Sequence, residues 1–238
     1  MTAPARTADP VAAHVAELAR SLRGPAKARH GLVREARDGL EDAVDAYCRR
    51  GLDRRSAACR AVHDFGPVAE IAPLYQDELA AGQGRRTALQ LAVALPTLTL
   101  GWDLLWQLSA DWGVPQSAAV PAVKALATLQ DLTSFAVAAV ALGLVVLASL
   151  SSRAPRPVAA AAAAAALTAI LVCGGSAVAM GVVTAPDAWT VVMGRPATWA
   201  GYLISFAVLT MLARSTVRTL HTVRRRSLTP RPFLGLIA

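Results

Sequence analysis

Arg85–Ala110 reads RRTALQLAVALPTLTLGWDLLWQLSA, and it decides the fold. Two adjacent arginines precede an apolar run, Ala88 to Leu108, that is long enough to cross a bilayer. A hydrocarbon core of about 30 Å needs about 20 residues of helix rising about 1.5 Å each. Residues 1–86 carry 14 Lys/Arg against 12 Asp/Glu, the balance of a water-exposed region, while the rest of the chain carries ten and four. With 55% hydrophobic residues and a mean hydropathy of +0.43, the 238-residue chain is too apolar for an ordinary soluble domain.

Outward from this seam, three further stretches have spanning character: Leu132–Leu150, Val158–Val183 and Thr198–Ala213. Pro121 can start the second of these earlier, and the third holds eight consecutive alanines. The bias of basic residues gives an orientation. Arg85, Arg86, Arg153, Arg156, Arg214, Arg218 and Arg224–Arg226 fall on one side; Lys124 and Arg195 fall on the other, with Asp111, Asp131 and Asp187. All five tryptophans lie at the second side, as an interfacial aromatic belt requires. Both termini are therefore expected in the cytosol. The +8 net charge sits beside the spans, where topology accounts for it, so no direct nucleic-acid binding is expected. Nearly all basic residues are Arg and Ala is abundant, a usage that points to a GC-rich bacterial genome and hence to a bacterial inner (plasma) membrane.

The first third reads as helices separated by Gly and Pro. Asp9-Pro10 is an N-cap followed by a first-turn proline, and Val11, Val15, Leu18 and Leu22 then share a face until Gly24-Pro25. A second helix runs from Lys27 to Arg50 with Leu32, Ala36, Leu40, Ala43 and Tyr47 along its apolar stripe, an Asp45–Arg49 pair outside and Gly51 as stop. A third begins near Asp53 and ends at Gly66-Pro67; a fourth follows, and Pro73 predicts a kink or restart in it. The three cysteines form no paired framework and read as reduced packing residues. MTAPARTADP has no apolar core of a secretory signal.

The order REARDGLEDAVDAYCRRGLD, an Ala-rich helix, then VHDFGPVAEIAPLYQDELA resembles the HAAS domain, also called permease prefix domain 1. Glu35, Leu40, Gly51, Ala57, Phe65, Gly66 and Ile71 carry the likeness, which covers about a third of the chain. Cys59 and Pro73 have no place in that pattern. The resemblance implies a cytosolic helical module preceding membrane helices or permease parts. It also implies a regulatory role, because genes of this kind neighbour PadR-type winged-helix regulators, and it supplies no catalytic residues.

The expected architecture is therefore all-α. Residues 1–8 form a disordered N-terminus and 9–84 a cytosolic helical domain. Four transmembrane helices follow within 85–213 (about 88–108, 132–150, 158–183 and 198–213), and 214–238 form a basic tail. The acidic face of the second helix, Asp38, Glu41, Asp42 and Asp45, can dock a basic partner or be a solvated face. Asp103 is the one acidic residue inside a span, either an ion, proton or ligand site or an interfacial carboxylate near the water. Gly82 and Gly84 suggest a hinge between the two parts. Arg214, Arg218, Arg224, Arg225 and Arg226 read as lipid-facing, attracting anionic headgroups or simply fixing topology. Gly175/Ala179 and Ala177/Gly181 suit close helix packing, within one chain or in a homo-oligomer. Cys59 and His63 have the spacing of two metal ligands but lack companions, so neither metal nor cofactor is expected. No nucleotide-binding, hydrolase or metalloprotease motif is present, and enzymatic activity is not expected. Three functions remain: a membrane-anchored regulatory protein that binds a cytosolic partner, a small permease or membrane subunit of an exporter, or a purely structural membrane-organising protein.

Overall fold

The computed structural model describes residues 9–108, 120–150, 155–184 and 194–223. These form seven helices: α1 Pro10–Ser21, α2 Ala26–Arg49, α3 Arg54–Phe65, α4 Val68–Gln107, α5 Val120–Leu150, α6 Pro155–Thr184 and α7 Pro196–Val223. The fold is all-α, and its chain divides into two compact units near Ala80/Ala81. The expectations for residues 1–8 and 224–238 lie outside the described residues, as do those for Asp111, Trp112, Arg153, Asp187 and Trp189.

The first unit follows its punctuation closely. Asp9 caps α1, its Oδ1 accepting from the Val11 amide at 3.1 Å, and Asp53 caps α3 by accepting from the Arg55 and Ser56 amides, each at 3.1 Å. Gly51 and Gly66, both at φ 97°, sit at the ends of α2 and α3, a backbone region that side chains disfavour. Two apolar clusters fill the interior. One joins Val11 and Val15 of α1, Leu40 and Val44 of α2, and Ala57, Ala58 and Ala61 of α3. The other joins Leu18, Leu22 and Ala36 to Val68 and Leu79 on the first turns of α4. Gln76 ties the end of α1 down from both sides: its Oε1 accepts from the Arg23 amide at 2.9 Å and its Nε2 donates to the Arg23 carbonyl at 2.8 Å.

Two expectations about α4 need correction. The helix neither stops nor restarts at Pro73, and it passes through Gly82 and Gly84 without a break. Gly82 is open to solvent, whereas a Cβ on Gly84 would stand 2.8 Å from both Cα and Cβ of Ala159 on α6. Gly84 is thus a contact residue between helices, where the sequence suggested a bend.

The second unit contains four helices long and apolar enough to cross a membrane: this is a multi-pass membrane protein. Its centre is built from small side chains. Ala88, Leu91 and Leu95 of α4 meet Val137 and Ala141 of α5, Ala162, Ala166 and Ala169 of α6, and Leu212 of α7. One face of the α6 alanine run, Ala159, Ala162, Ala163 and Ala166, is therefore inward, letting the backbones approach as small residues do in membrane bundles. Large apolar side chains point outward instead, among them Leu142, Leu171, Val178, Leu203 and Phe206. That inversion suits a surface solvated by acyl chains. Gly175 and Gly181 would meet nothing if given a Cβ, so close packing within the chain runs through the alanines rather than through those glycines.

Candidate functional site

Near the C-terminal end of α4, the bundle opens a mostly apolar chamber of about 200 Å³ that holds a few polar groups. Asp103 lines it from α4, and Gln130, Asp131 and Ser134 from α5. Cys173 adds a thiol from α6, its Sγ 3.6 Å from the Ser134 hydroxyl. The Asp103 and Asp131 carboxyls line the same cavity, and Gln130 Oε1 is buried with no hydrogen-bond partner among the described residues. At about 30 Å³ per water, the space holds a handful of waters or a small cation. It is smaller than the sites that take drug-sized ligands, which begin at about 300 Å³.

Trp102 forms one wall and fixes the chamber's shape. Its Nε1 donates to Ser205 Oγ at 3.0 Å, and its ring meets Tyr202 edge-on at 5.2 Å and stacks on Trp106 at 6.4 Å. Gly201 makes room for it: a Cβ there would lie 3.0 Å from the indole. The belt residue of the sequence is therefore also a packing residue between α4 and α7. Asp103 is joined in the chamber by Asp131, which the charge pattern placed only on the outer side of the membrane. Asp131 lies within α5 because that helix begins at Val120, eleven residues earlier. Pro121 was the available signal, since a proline in a first turn can start a helix.

At the arginine end of the same unit, α4 and α7 are joined by a buried hydroxyl seam. Thr87 Oγ1 lies 2.7 Å from Ser215 Oγ and 2.9 Å from Thr219 Oγ1, and Gln83 Nε2 reaches Ser215 at 3.5 Å. Thr87 and Thr219 are fully buried. Helix α7 therefore continues ten residues past Ala213, as the helical spacing of Arg214 and Arg218 allowed, and this part packs against α4. Ser215, Thr216, Thr219 and Thr222, spaced as one helical face and all buried, were the missed sign. Arg214 and Arg218 remain exposed beside this seam, while Arg224, Arg225 and Arg226 lie outside the described residues.

In the first unit, Asp38, Glu41, Asp42 and Asp45 are all exposed on α2. Asp45 pairs with Arg54 of α3 at 3.5 Å, in place of the expected Arg49. Cys59 and His63 are exposed on α3, and among the described residues no group of three or more His, Cys, Asp or Glu converges to hold a metal. Asp64 accepts from the Tyr47 hydroxyl and from Arg60 Nε, the latter at 3.2 Å. The tyrosine's hydrogen bond, with help from the Arg60 charge, holds that carboxyl below its ordinary pKa.

Comparison with family models, curated proteins and solved structures finds no match.

Proposed function

We propose that the protein is a regulatory protein anchored in a bacterial plasma membrane, with both termini in the cytosol and its first unit binding a cytosolic protein. The observation that carries this reading is the first unit itself. It has its own two apolar clusters and its own capped helices, and it presents Asp38, Glu41 and Asp42 to solvent with no described ion-pair partner. A domain that needs nothing else for its core, and exposes one acidic helix face, is suited to docking a basic surface. The HAAS-like order of its helices makes a PadR-type regulator the first partner to test. Cross-linking in native membranes, followed by identification of what is joined to residues 9–80, is expected to recover such a regulator. Replacing Asp38, Glu41 and Asp42 by Asn or Gln should reduce that yield. Recovery of no cytosolic protein, with the first unit folded, would refute the reading.

The chamber favours a second reading, a small cation-exchanging permease or a membrane subunit of an exporter. Two carboxyls lining one cavity and an unpartnered amide oxygen among membrane helices are the groups that line cation and proton paths. Asp103→Asn separates the two. Loss of cation flux in proteoliposomes, at normal expression, supports transport; unchanged flux with unchanged partner cross-linking supports the anchor.

A further inference from the structure

Between α4 and α7 lie two clefts, one charged and one apolar, that neither reading uses. The charged cleft, of about 540 Å³, is lined by Gln83, Arg86 and Gln90 of α4 and by Arg214, Ser215 and Arg218 of α7. The three guanidinium groups have no carboxylate within ion-pair distance among the described residues. Gln90 Oε1 is buried there without a partner, while Gln83 and Ser215 are held by the hydroxyl seam behind the cleft. Three cations without counter-charges along one cleft call for an anion.

Farther along the same two helices the lining turns apolar. A second cleft of about 460 Å³ runs between Val93, Ala94 and Gly101 of α4 and Ala200, Ile204 and Val208 of α7. On α4, the positions 83, 86, 90, 94, 97 and 101 advance by three or four, so they form one stripe. On α7, positions 218, 214, 211, 207, 204 and 200 do the same. From Arg86 to Gly101 the stripe climbs about 22 Å, about three quarters of the thickness of a hydrocarbon core. Phe206 and Met211, between the two ends, expose apolar side chains to the surroundings.

We propose that the two clefts together form a groove that binds an anionic phospholipid, its phosphate held by Arg86, Arg214 and Arg218 and one acyl chain lying along the apolar half. Arginine suits the task because its planar fork meets phosphate oxygens in pairs. Phosphatidylglycerol is such a lipid, carrying one anionic phosphate for the arginines and acyl chains for the apolar half. A free phosphate would satisfy the arginines but leave the apolar half without an occupant. The proposal does not depend on which protein the first unit binds.

The test uses the full chain in nanodiscs and detergent. Native mass spectrometry of protein released from nanodiscs of equal phosphatidylglycerol and phosphatidylcholine content is expected to show one retained phosphatidylglycerol per chain. Arg86→Gln, Arg214→Gln and Arg218→Gln together should lower that retention about ten-fold or more, since each charge near a membrane surface contributes measurably to anionic lipid binding. A control that replaces Arg34, Arg37 and Arg85 by Gln removes equal charge outside the groove and should retain the lipid. Equal retention by the groove variant and the control would overturn the proposal. Displacement of the lipid by millimolar inorganic phosphate would overturn it as well, because the groove would then be a site for the free ion. If the triple variant fails to fold, Ala207→Trp in the groove, with all arginines present, is the deciding measurement. It should expel the lipid and abolish the thermal stabilisation that added phosphatidylglycerol gives the natural chain; retention at the natural level would reject the groove as the site.

Discussion

Gly82 and Gly84 are two residues apart on one helix, and alanine should act on them in opposite directions. At Gly82 a new Cβ meets nothing within 4 Å, so the substitution only raises helix propensity, by about 1 kcal/mol. At Gly84 the same gain is opposed by contact with Ala159, whose Cα and Cβ would be 2.8 Å away and whose amide nitrogen 3.3 Å away. Those atoms belong to the backbone of α6 and its first side-chain carbon, so no rotamer change relieves the clash. The helices must part by about 1 Å to restore ordinary carbon contact, and a gap of that size forfeits a quarter to a half of the dispersion energy of neighbouring atoms. Overpacking of this kind costs about 1–3 kcal/mol. The net loss at Gly84→Ala is therefore about 1 kcal/mol, and the two variants should differ by about 2 kcal/mol. Thermal unfolding of the full chain in one detergent, with helix content followed by circular dichroism, measures the difference. If Gly84→Ala is as stable as Gly82→Ala, the close approach of α4 and α6 at this point is wrong.

Three other substitutions probe the remaining contacts. Gly201→Ala should destabilise the bundle by about 1–3 kcal/mol, because the added carbon meets an indole already held by Ser205 and Tyr202; a lowered melting temperature and altered tryptophan fluorescence would register it. Thr87→Val keeps the side chain's shape but removes the oxygen shared by Ser215 and Thr219, with an expected cost of about 1 kcal/mol. A double-mutant cycle with Ser215→Ala should then recover part of that loss, and strict additivity would argue against the seam. In the first unit, Asp64 is held below its ordinary pKa by the Tyr47 hydrogen bond and by Arg60, and Asp53 by the Ser56 hydroxyl and amide. Carboxyls with depressed folded values contribute stability that is complete above their unfolded pKa and is lost as pH falls through the folded one. Amide exchange in α3 of the full chain should accordingly rise in that acid range. Asp53→Asn with Asp64→Asn should flatten the response, and an unchanged acid limb would contradict the assignment.

Much of this architecture was legible because it depends on local rules. Asp9-Pro10, Gly51, Asp53 and Gly66 act on their own neighbours, and each marks a helix end where the sequence placed one. Span length is likewise a matter of counting apolar residues against bilayer thickness, which is why all four membrane helices were found. Gly84 failed that kind of reading. Its role depends on Ala159, distant in the chain, and a glycine that admits a neighbouring helix has the same letter as one that permits a bend.

Asp131 and the hydroxyl face of α7 were missed for a deeper reason. In water, polar residues mark the outside of a helix, so a segment rich in Arg, Ser and Thr reads as a tail, and an acid next to an apolar run reads as lying on the outer side of the membrane. In lipid the assignment inverts, because an uncompensated hydroxyl or carboxyl is better satisfied by another helix than by acyl chains. The α7 pattern already held both halves of the answer. Ser215, Thr216, Thr219 and Thr222 are buried, while Arg214 and Arg218 are exposed on the other face. A helix whose small hydroxyls bind its neighbour and whose arginines stay outside has an inside and an outside, and a free tail has neither. The same separation leaves guanidinium groups at the rim of an apolar groove, so the packing that ends the bundle is also what creates a place for a lipid phosphate.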